Sequence, residues 1–330
     1  MLIMTQAGLY CPAGDFFIDP KTAVTNAVIT HAHSDHARPG SKQYFCTSSG
    51  VSLLKSRLGA KISVESHPYG QTFQIKDVTI SFHPAGHILG SSQIRLALFG
   101  EVWVVSGDYK RDPDPTCEPF QSIPCDVFIT EATFGTPAFQ WDKSPQHGKA
   151  ILAWWQQNAA NDTNSVLFAY SLGKAQRILA ELAELTDQPV YCHSATQALN
   201  DCYRTQGVKL LPTISLKDLP KETELKKALC LVPTSFLKTH QAKVLGKHYK
   251  TAFASGWMVR PTNQFNAGFI LSDHADWNDL LLTITESRAK RVYVQHRGAG
   301  ALVRELKKRG ISAYPDTALT PKNPAQMVLF

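Results

Sequence analysis

The stretch Thr30-His31-Ala32-His33-Ser34-Asp35-His36 places four potential metal ligands within the six residues from His31 to His36. It continues the apolar run Ala27-Val28-Ile29, which reads as a strand. If the extended path persists briefly, His31 and His33, two positions apart, point to one side. A tightening turn then swings Asp35 and His36 toward a neighbouring point. Two imidazoles can serve one metal, while a carboxylate and a third imidazole serve a second. This mixed nitrogen and oxygen environment suits zinc and is also tolerated by manganese or iron. The plainer alternative is a histidine-rich surface loop, so residues outside the stretch must decide.

Composition narrows the classes. The chain has 330 residues, 43% hydrophobic and 18% charged, as in an ordinary globular protein with ample core. Residues 1–14 carry no cationic n-region and no sustained apolar h-region, and no uncharged run approaches the roughly 20 residues that span a bilayer. The expectation is a cytoplasmic protein without membrane contact. Seven cysteines are scattered without a C-x-x-C pair, which predicts reduced, mostly buried thiols. The net charge of +7 points toward a polyanionic partner. Between Arg204 and Lys250, ten Lys or Arg face three acids, a pattern that fits either a nucleic-acid groove or a solvated lysine face.

Organisation follows from periodicity. Short apolar runs, Val78–Phe82, Ile94–Leu98 and Val102–Val105, predict strands, and several lead into polar loops such as Ser106-Gly107-Asp108 and Thr130-Glu131-Ala132. From about Pro145 the period becomes helical. A strand at Ser165–Ala169 then leads through Ser171-Leu172-Gly173 into a helix over 174–185. Strands at Val190–Cys192 and Leu229–Val232 continue a parallel α/β unit. The last part predicts strands at Gln264–Leu271 and Arg291–Val294 around a helix at Trp277–Ser287.

The His31–His36 stretch resembles the H-x-H-x-D-H hallmark of the metallo-β-lactamase superfamily. That resemblance implies further ligands in loops after strands, and they occur in order. They are His87 in Ala85-Gly86-His87-Ile88-Leu89-Gly90, Asp108 as a bridging carboxylate, and Asp19 as a buttress of the histidine loop. Later motifs resemble the β-CASP branch, which cuts DNA or RNA. Thr130-Glu131-Ala132-Thr133-Phe134-Gly135 resembles its first signature, Leu271-Ser272-Asp273-His274-Ala275-Asp276 its second and Tyr293-Val294-Gln295-His296-Arg297-Gly298 its third. Residues 170–177 and Ala254-Ser255-Gly256-Trp257-Met258 resemble secondary signatures of the branch.

The resemblance implies an α/β fold: a metallo-β-lactamase αββα sandwich formed by residues 1–146 and 254–330, with an inserted α/β β-CASP domain at 147–253. It implies two divalent metal ions, expected to be Zn2+ with Mn2+ as the other choice. His31, His33 and His87 would hold one, Asp35, His36 and His296 the other, and Asp108 both. His274, oriented by Glu131, is the expected proton donor to the leaving oxygen, although His274 and His296 could exchange roles. Ser171, Gly173 and Lys174 lie at a predicted helix start, where free N–H groups favour phosphate, and Arg260 is a candidate of the same kind. Ser171 would alternatively be an N-cap.

The implied activity is two-metal hydrolysis of nucleic-acid phosphodiesters leaving 5′-phosphate and 3′-hydroxyl ends. Asp276-Trp277 after His274 is similar to bacterial exonucleases encoded beside a DNA ligase and a helicase. DNA repair is therefore the leading expectation. His296 is instead the RNA-like form of the third signature, so RNA processing is the runner-up. A small-molecule hydrolase lacks a reason for the long α/β insert, and a metal-free scaffold would show eroded ligands.

Overall fold

A computed structural model describes residues 1–143, 146–260, 262–295 and 299–321. Contacts divide the chain into two units. The first comprises residues 1–113, 117–140 and 274–330, and the second comprises residues 114–116 and 141–273.

The first unit opens with β1 (Ile3–Thr5), β2 (Gly8–Cys11), β3 (Phe16–Ile18), β4 (Asn26–Val28), β5 (Gln43–Thr47) and β6 (Val64–His67), which form one sheet in chain order. Helix α1 (Val51–Leu58) lies between the last two. A second sheet begins with β7 (Thr72–Ile75), β8 (Val78–Pro84), β9 (Ser92–Leu98), β10 (Glu101–Val105) and β11 (Val127–Thr130). The side-chain period of two assigns the faces. Val28 of the first sheet and Trp103, Val105, Val127 and Ile129 of the second enter one shared core with Phe16, Phe82 and Ile94. The alternate residues Ala27, Ile29, Tyr44 and Cys46 turn the other way, onto Leu54 of α1.

The second unit is an α/β sheet of another kind. Helices α2 (His147–Ala160), α3 (Lys174–Ala183) and α4 (Ser194–Thr205) alternate with β12 (Asn164–Phe168), β13 (Val190–Cys192), β14 (Thr213–Ser215), β15 (Leu229–Val232), β16 (Tyr249–Ala254) and β17 (Ala267–Phe269). The strands pair in the order β14-β13-β15-β12-β16-β17, every pairing parallel. The central runs Val166–Phe168 and Leu229–Val232 are apolar and buried because both faces of a parallel sheet are covered there. Buried Asn164 supports this sheet at its amino end. Its side chain accepts from the Ala228 N–H and donates to the carbonyls of Leu225 and Leu245.

The chain then returns to the first unit. Helix α5 (Trp277–Ser287), β18 (Arg291–Val294), α6 (Ala299–Lys308) and β19 (Ser312–Pro315) complete the second sheet in the order β19-β18-β11-β10-β9-β8-β7. Leu280, Ile284, Leu302 and Leu306 pack on Val104, Phe128, Val292 and Val294, the face of that sheet opposite the shared core. The unit is therefore layered helix, sheet, sheet, helix.

Three details differ from expectation. The strand expected over 264–271 is only Ala267–Phe269. A Thr262 side-chain turn captures the Gln264 N–H before it, and Leu271 N–H bonds back to Phe269 carbonyl after it. Helix α3 ends at Ala183, two residues short of the predicted 185. The expected domain boundary at 253 falls inside β16, whose ladder partner β17 belongs to the same unit.

Cys11, Cys46, Cys125, Cys192 and Cys230 are free thiols, and burial pushes Cys46 up to about 12, leaving it little thiolate. Among the described residues no helix is long and apolar enough to cross a membrane.

Two glycines give a direct test of how tightly the strand ends meet. Gly90 has φ +72°, and a Cβ there would lie 2.4 Å from the Gly50 backbone, whereas Gly100 has φ +83° with nothing within 4 Å. Gly100→Ala should cost about 1 kcal/mol for its backbone alone. Gly90→Ala should cost about 2 kcal/mol more. Urea unfolding midpoints compare the two, and equal losses would contradict this packing.

Candidate metal centre

The centre gathers loops at the ends of strands from both sheets of the first unit. After β4 the chain bends at Thr30 and then turns, with the His33 carbonyl accepting the N–H groups of His36 and Ala37. That turn brings His36 back beside His31, with ring centroids 4.1 Å apart. Asp19, at the end of β3 with φ 44°, anchors the turn. Its Oδ1 accepts the Thr30 N–H at 2.8 Å, and its Oδ2 meets both the Thr30 hydroxyl and His36 Nδ1, the latter at 2.7 Å. A hydrogen bond on Nδ1 leaves His36 Nε2 for the centre.

His87 and Asp108 arrive from the second sheet. Ser91 Oγ accepts the N–H groups of His87 and Ile88, which closes the loop carrying His87. Gly107, φ +56°, precedes Asp108, and a Cβ there would strike Thr30 at 2.7 Å. Only glycine permits that approach.

The donor atoms converge. His33 Nδ1 lies 3.0 Å from His31 Nε2 and 3.1 Å from His87 Nε2. Asp108 Oδ2 lies 3.6 Å from His31 Nε2, 3.9 Å from His87 Nε2 and 3.3 Å from His36 Nε2. Asp35 Oδ2 is 3.8 Å from that same His36 nitrogen. Donor atoms of His31, His33, His87 and Asp108 all fall within 4.8 Å of one another, a set that could hold a metal ion. Two further observations fit a cation. Asp108 Oδ1 is buried with no hydrogen-bond partner among the described residues. Three imidazoles also aim nitrogens at one point, which hydrogen bonds between neutral rings cannot fully satisfy.

Electrostatics point the same way. Burial and the neighbouring rings His36, His87 and His33 hold His31 well below the usual histidine range, in the neutral form that ligates. Burial would lower His36 too, but the carboxylates of Asp108 and Asp19 outweigh it and raise His36 well above that range. Asp108 is held well below the carboxylate range. Burial opposes this, and His36, His274 and His31 together overcome it.

A second cluster adjoins the first. Glu131, buried at the end of β11, accepts the Tyr109 N–H at 2.6 Å and the Thr133 hydroxyl at 2.6 Å. Its Oε2 lies 3.0 Å from His274 Nδ1. The Ala275 N–H bonds to the Tyr109 carbonyl at 2.7 Å, so the segments carrying Asp108 and His274 are tied on both sides. Donor atoms of Asp108, Glu131 and His274 again fall within 4.8 Å.

The other expected residues divide. Asp35 sits at the rim, its side chain 72% exposed. His296 lies outside the described residues. In the second unit Lys174 is almost fully buried, and its Nζ is 2.9 Å from Asp273 Oδ1, so its charge is matched within the fold. Gly173, not Ser171, is the N-cap of α3. Its N–H goes to Gln176 Oε1 and not to an open phosphate cradle, while the Ser171 carbonyl accepts from Gln176 Nε2. Arg260 is exposed, as are the lysines from Lys217 to Lys250. Asp276 is the N-cap of α5, accepting the Asp279 N–H at 2.9 Å, and Trp277 joins the core, so this pair has a structural use. Sequence reasoning missed Thr30, Tyr109 and Thr133 as supports. Thr30 could have been found from its place directly before the first ligand.

These observations define a layered α/β unit carrying a histidine and carboxylate cluster able to hold metal. No family model matches the chain. It is 32% identical over 314 residues, 93% of its length, to an Opitutus terrae protein named a probable DNA ligase, of which it covers 30%. Over 52% of its length it is 26% identical to the endoribonuclease ysh-1 of Neurospora crassa, covering 21% of that protein. Over 57% it is 26% identical to an RNase J-like protein of Methanocaldococcus jannaschii, covering 52%. The chain thus spans between about a fifth and about half of these relatives. A structure of a protein of unknown function from Enterococcus faecalis V583 shares the fold with TM-score 0.57 at 11% identity, covering 89% of this chain and 80% of that one. The chain is thus similar to proteins named as nucleases, the ysh-1 endoribonuclease and the RNase J-like protein, and to one named a probable DNA ligase.

The raised pKa of His36 has a measurable consequence. A metal on Nε2 must displace a proton, so affinity for Zn2+ or Mn2+ should rise with pH through neutrality and binding should release protons. Asp19→Ala, which frees His36, should weaken binding roughly 10- to 100-fold. Calorimetry in buffers of different ionisation enthalpy reads both, and pH-independent binding without proton release would contradict the assignment.

Proposed function

We propose that this protein hydrolyses phosphodiester bonds of nucleic acid with two divalent metal ions, favouring Zn2+ or Mn2+. The observation carrying this reading is the His31, His33, His87 and Asp108 cluster with the Glu131–His274 pair beside it. On this reading the first unit is a metallo-β-lactamase αββα sandwich, and the second is the inserted β-CASP domain.

His31, His33 and His87 would hold one ion, and Asp35 and His36, with His296, the other. Asp108, with one oxygen already facing three imidazoles and the other unpartnered, would bridge them. Bound divalent ions supply activation of the attacking water and neutralisation of the phosphate's charge. The chain's own contribution is orientation and proton delivery. Asp19 fixes the His36 ring, and the buried Glu131 fixes His274 through Nδ1. His274 Nε2 then carries a proton for the leaving oxygen, and the carboxylate on its far side favours the protonated ring.

DNA is the preferred substrate, cut exonucleolytically to 5′-phosphates and 3′-hydroxyls. The relative that matches 93% of this chain is named for DNA ligation, and a nuclease that prepares ends suits association with a ligase. RNA is the second reading, favoured by the relatives named endoribonuclease and RNase J-like.

Strands of one sequence, as DNA and as RNA, labelled at either end, should be offered to wild type and Asp108→Ala with Zn2+ or Mn2+. Wild type should shorten DNA faster than RNA, and Asp108→Ala should be inactive. If wild type cuts neither, or the variant cuts as well, the reading fails. His274→Ala should lose about 10²- to 10⁴-fold in rate while keeping its metal content by elemental analysis. Loss of metal with loss of rate would instead make His274 a ligand.

A further inference from the structure

Three of the exposed large apolar side chains of this protein stand at one edge of one sheet. Tyr170 is two residues beyond the end of β12, Trp257 three beyond β16 and Ile270 one beyond β17. These strands are hydrogen-bonded neighbours and parallel, with Phe168 opposite Phe253 and Ala254 opposite Phe269. Their carboxyl ends therefore share an edge, where open α/β sheets bind ligands. Tyr170 is 58% exposed, Trp257 47% and Ile270 38%.

The two aromatic residues are held and not merely left over. The Tyr170 ring has the Lys174 ammonium 4.9 Å from its centroid, and that ammonium is fixed by Asp273 at 2.9 Å. Trp257 lies in a short turn over Gly256–Val259, whose N–H groups at Trp257 and Met258 bond to Ser255 Oγ and Ser255 carbonyl. Met258 fills the space over Gly268, where a Cβ would meet its sulfur at 2.9 Å. The turn is thus pinned to β17 by Met258 while Trp257 faces outward.

Charge indicates what covers this edge. From Leu225 to Ser272 the sequence has seven lysines and arginines and no aspartate or glutamate, but Lys226, Lys227, Lys247 and Lys250 belong to the amino ends of β15 and β16 and not to this edge. Lys238, at the end of the turn following β15, and Arg260, following Trp257, are both exposed. Exposed aromatic rings beside exposed cations, with Asp273 already matched by Lys174, fit a strand of phosphates with unpaired bases. An acidic protein partner would not need the rings.

We propose that Tyr170 and Trp257 form a stacking platform for the bases of the strand this protein binds. The proposal rests on the nucleic-acid reading above and deepens it. Stacking is sequence-tolerant, because every base has a π-face. Lys238 and Arg260 then track the backbone, and the platform needs no metal.

The test uses the full chain treated with chelator, with binding of labelled strands read by anisotropy. The strands are a single-stranded oligonucleotide, its duplex and an abasic strand of equal length and charge. Wild type should prefer the base-bearing single strand to both others. Trp257→Ala and Tyr170→Ala should each weaken that binding roughly tenfold and leave the abasic strand unaffected, while Trp257→Phe and Tyr170→Phe retain it. Circular dichroism checks that the variants fold.

If wild type binds no strand at all, the nucleic-acid reading falls and takes the platform with it. If wild type binds but treats abasic and base-bearing strands alike, or the alanine variants bind like wild type, the platform alone is overturned. A change confined to self-association in sedimentation would make the edge an interface between copies and would also overturn it.

Discussion

The first unit depends on what one carboxylate does at the end of β3. Asp19 takes a left-handed backbone and spends both oxygens on the next strand's exit, binding the Thr30 N–H, the Thr30 hydroxyl and His36 Nδ1. Thr30 then lies where the Asp108 loop crosses, so close that residue 107 must be glycine. The Thr30 hydroxyl also reaches His31 Nδ1 at 3.0 Å. One small anchor therefore sets the ring orientation of two histidines and the approach of the loop from the opposite sheet. Such supports matter because a ligand set misplaced by a fraction of an ångström loses most of its affinity.

The same anchor explains why a buried cluster of four imidazoles and a carboxylate is tolerable in a folded chain. Burial penalises each charge, yet His36 keeps its proton between two carboxylates while His31, surrounded by rings, stays neutral. The balance is local, and it leaves Asp108 Oδ1 unpartnered, a group whose desolvation costs about 1–3 kcal/mol unless something binds it. A cation at that position would supply the partner that this oxygen lacks among the described residues. Glu131 shows the opposite case, a buried carboxylate whose partners are all supplied by the chain.

The second unit carries its chemistry differently. It buries charge for architecture, as in the Lys174–Asp273 pair and in Arg177, whose Nε meets Glu181 at 3.0 Å and whose Nη1 donates to the Ser272 carbonyl. A motif that reads as a phosphate cradle along the chain thereby becomes an internal brace. Burial, not residue type, made the difference. Lys238 and Arg260 stay exposed, and the exposed aromatic residues Tyr170 and Trp257 sit just beyond strand ends.

Much was legible in the chain itself. Ligand chemistry is carried by residue type and short-range spacing, so His31, His33, Asp35 and His36 point to a cluster able to hold metal before any fold is known, and the structure gathers His31 and His33 with His87 and Asp108. Strand and helix positions follow from periods of two and 3.6, which is why α5 occupies Trp277–Ser287 as predicted. What tertiary structure alone decided is which distant groups meet. Glu131 and His274, 143 positions apart, form a pair only because Tyr109 bonds both of their segments. It also decided which polar residues lose solvent. Lys174 has the type and position of a phosphate ligand, and only packing, which no local pattern encodes, turned it inward to Asp273.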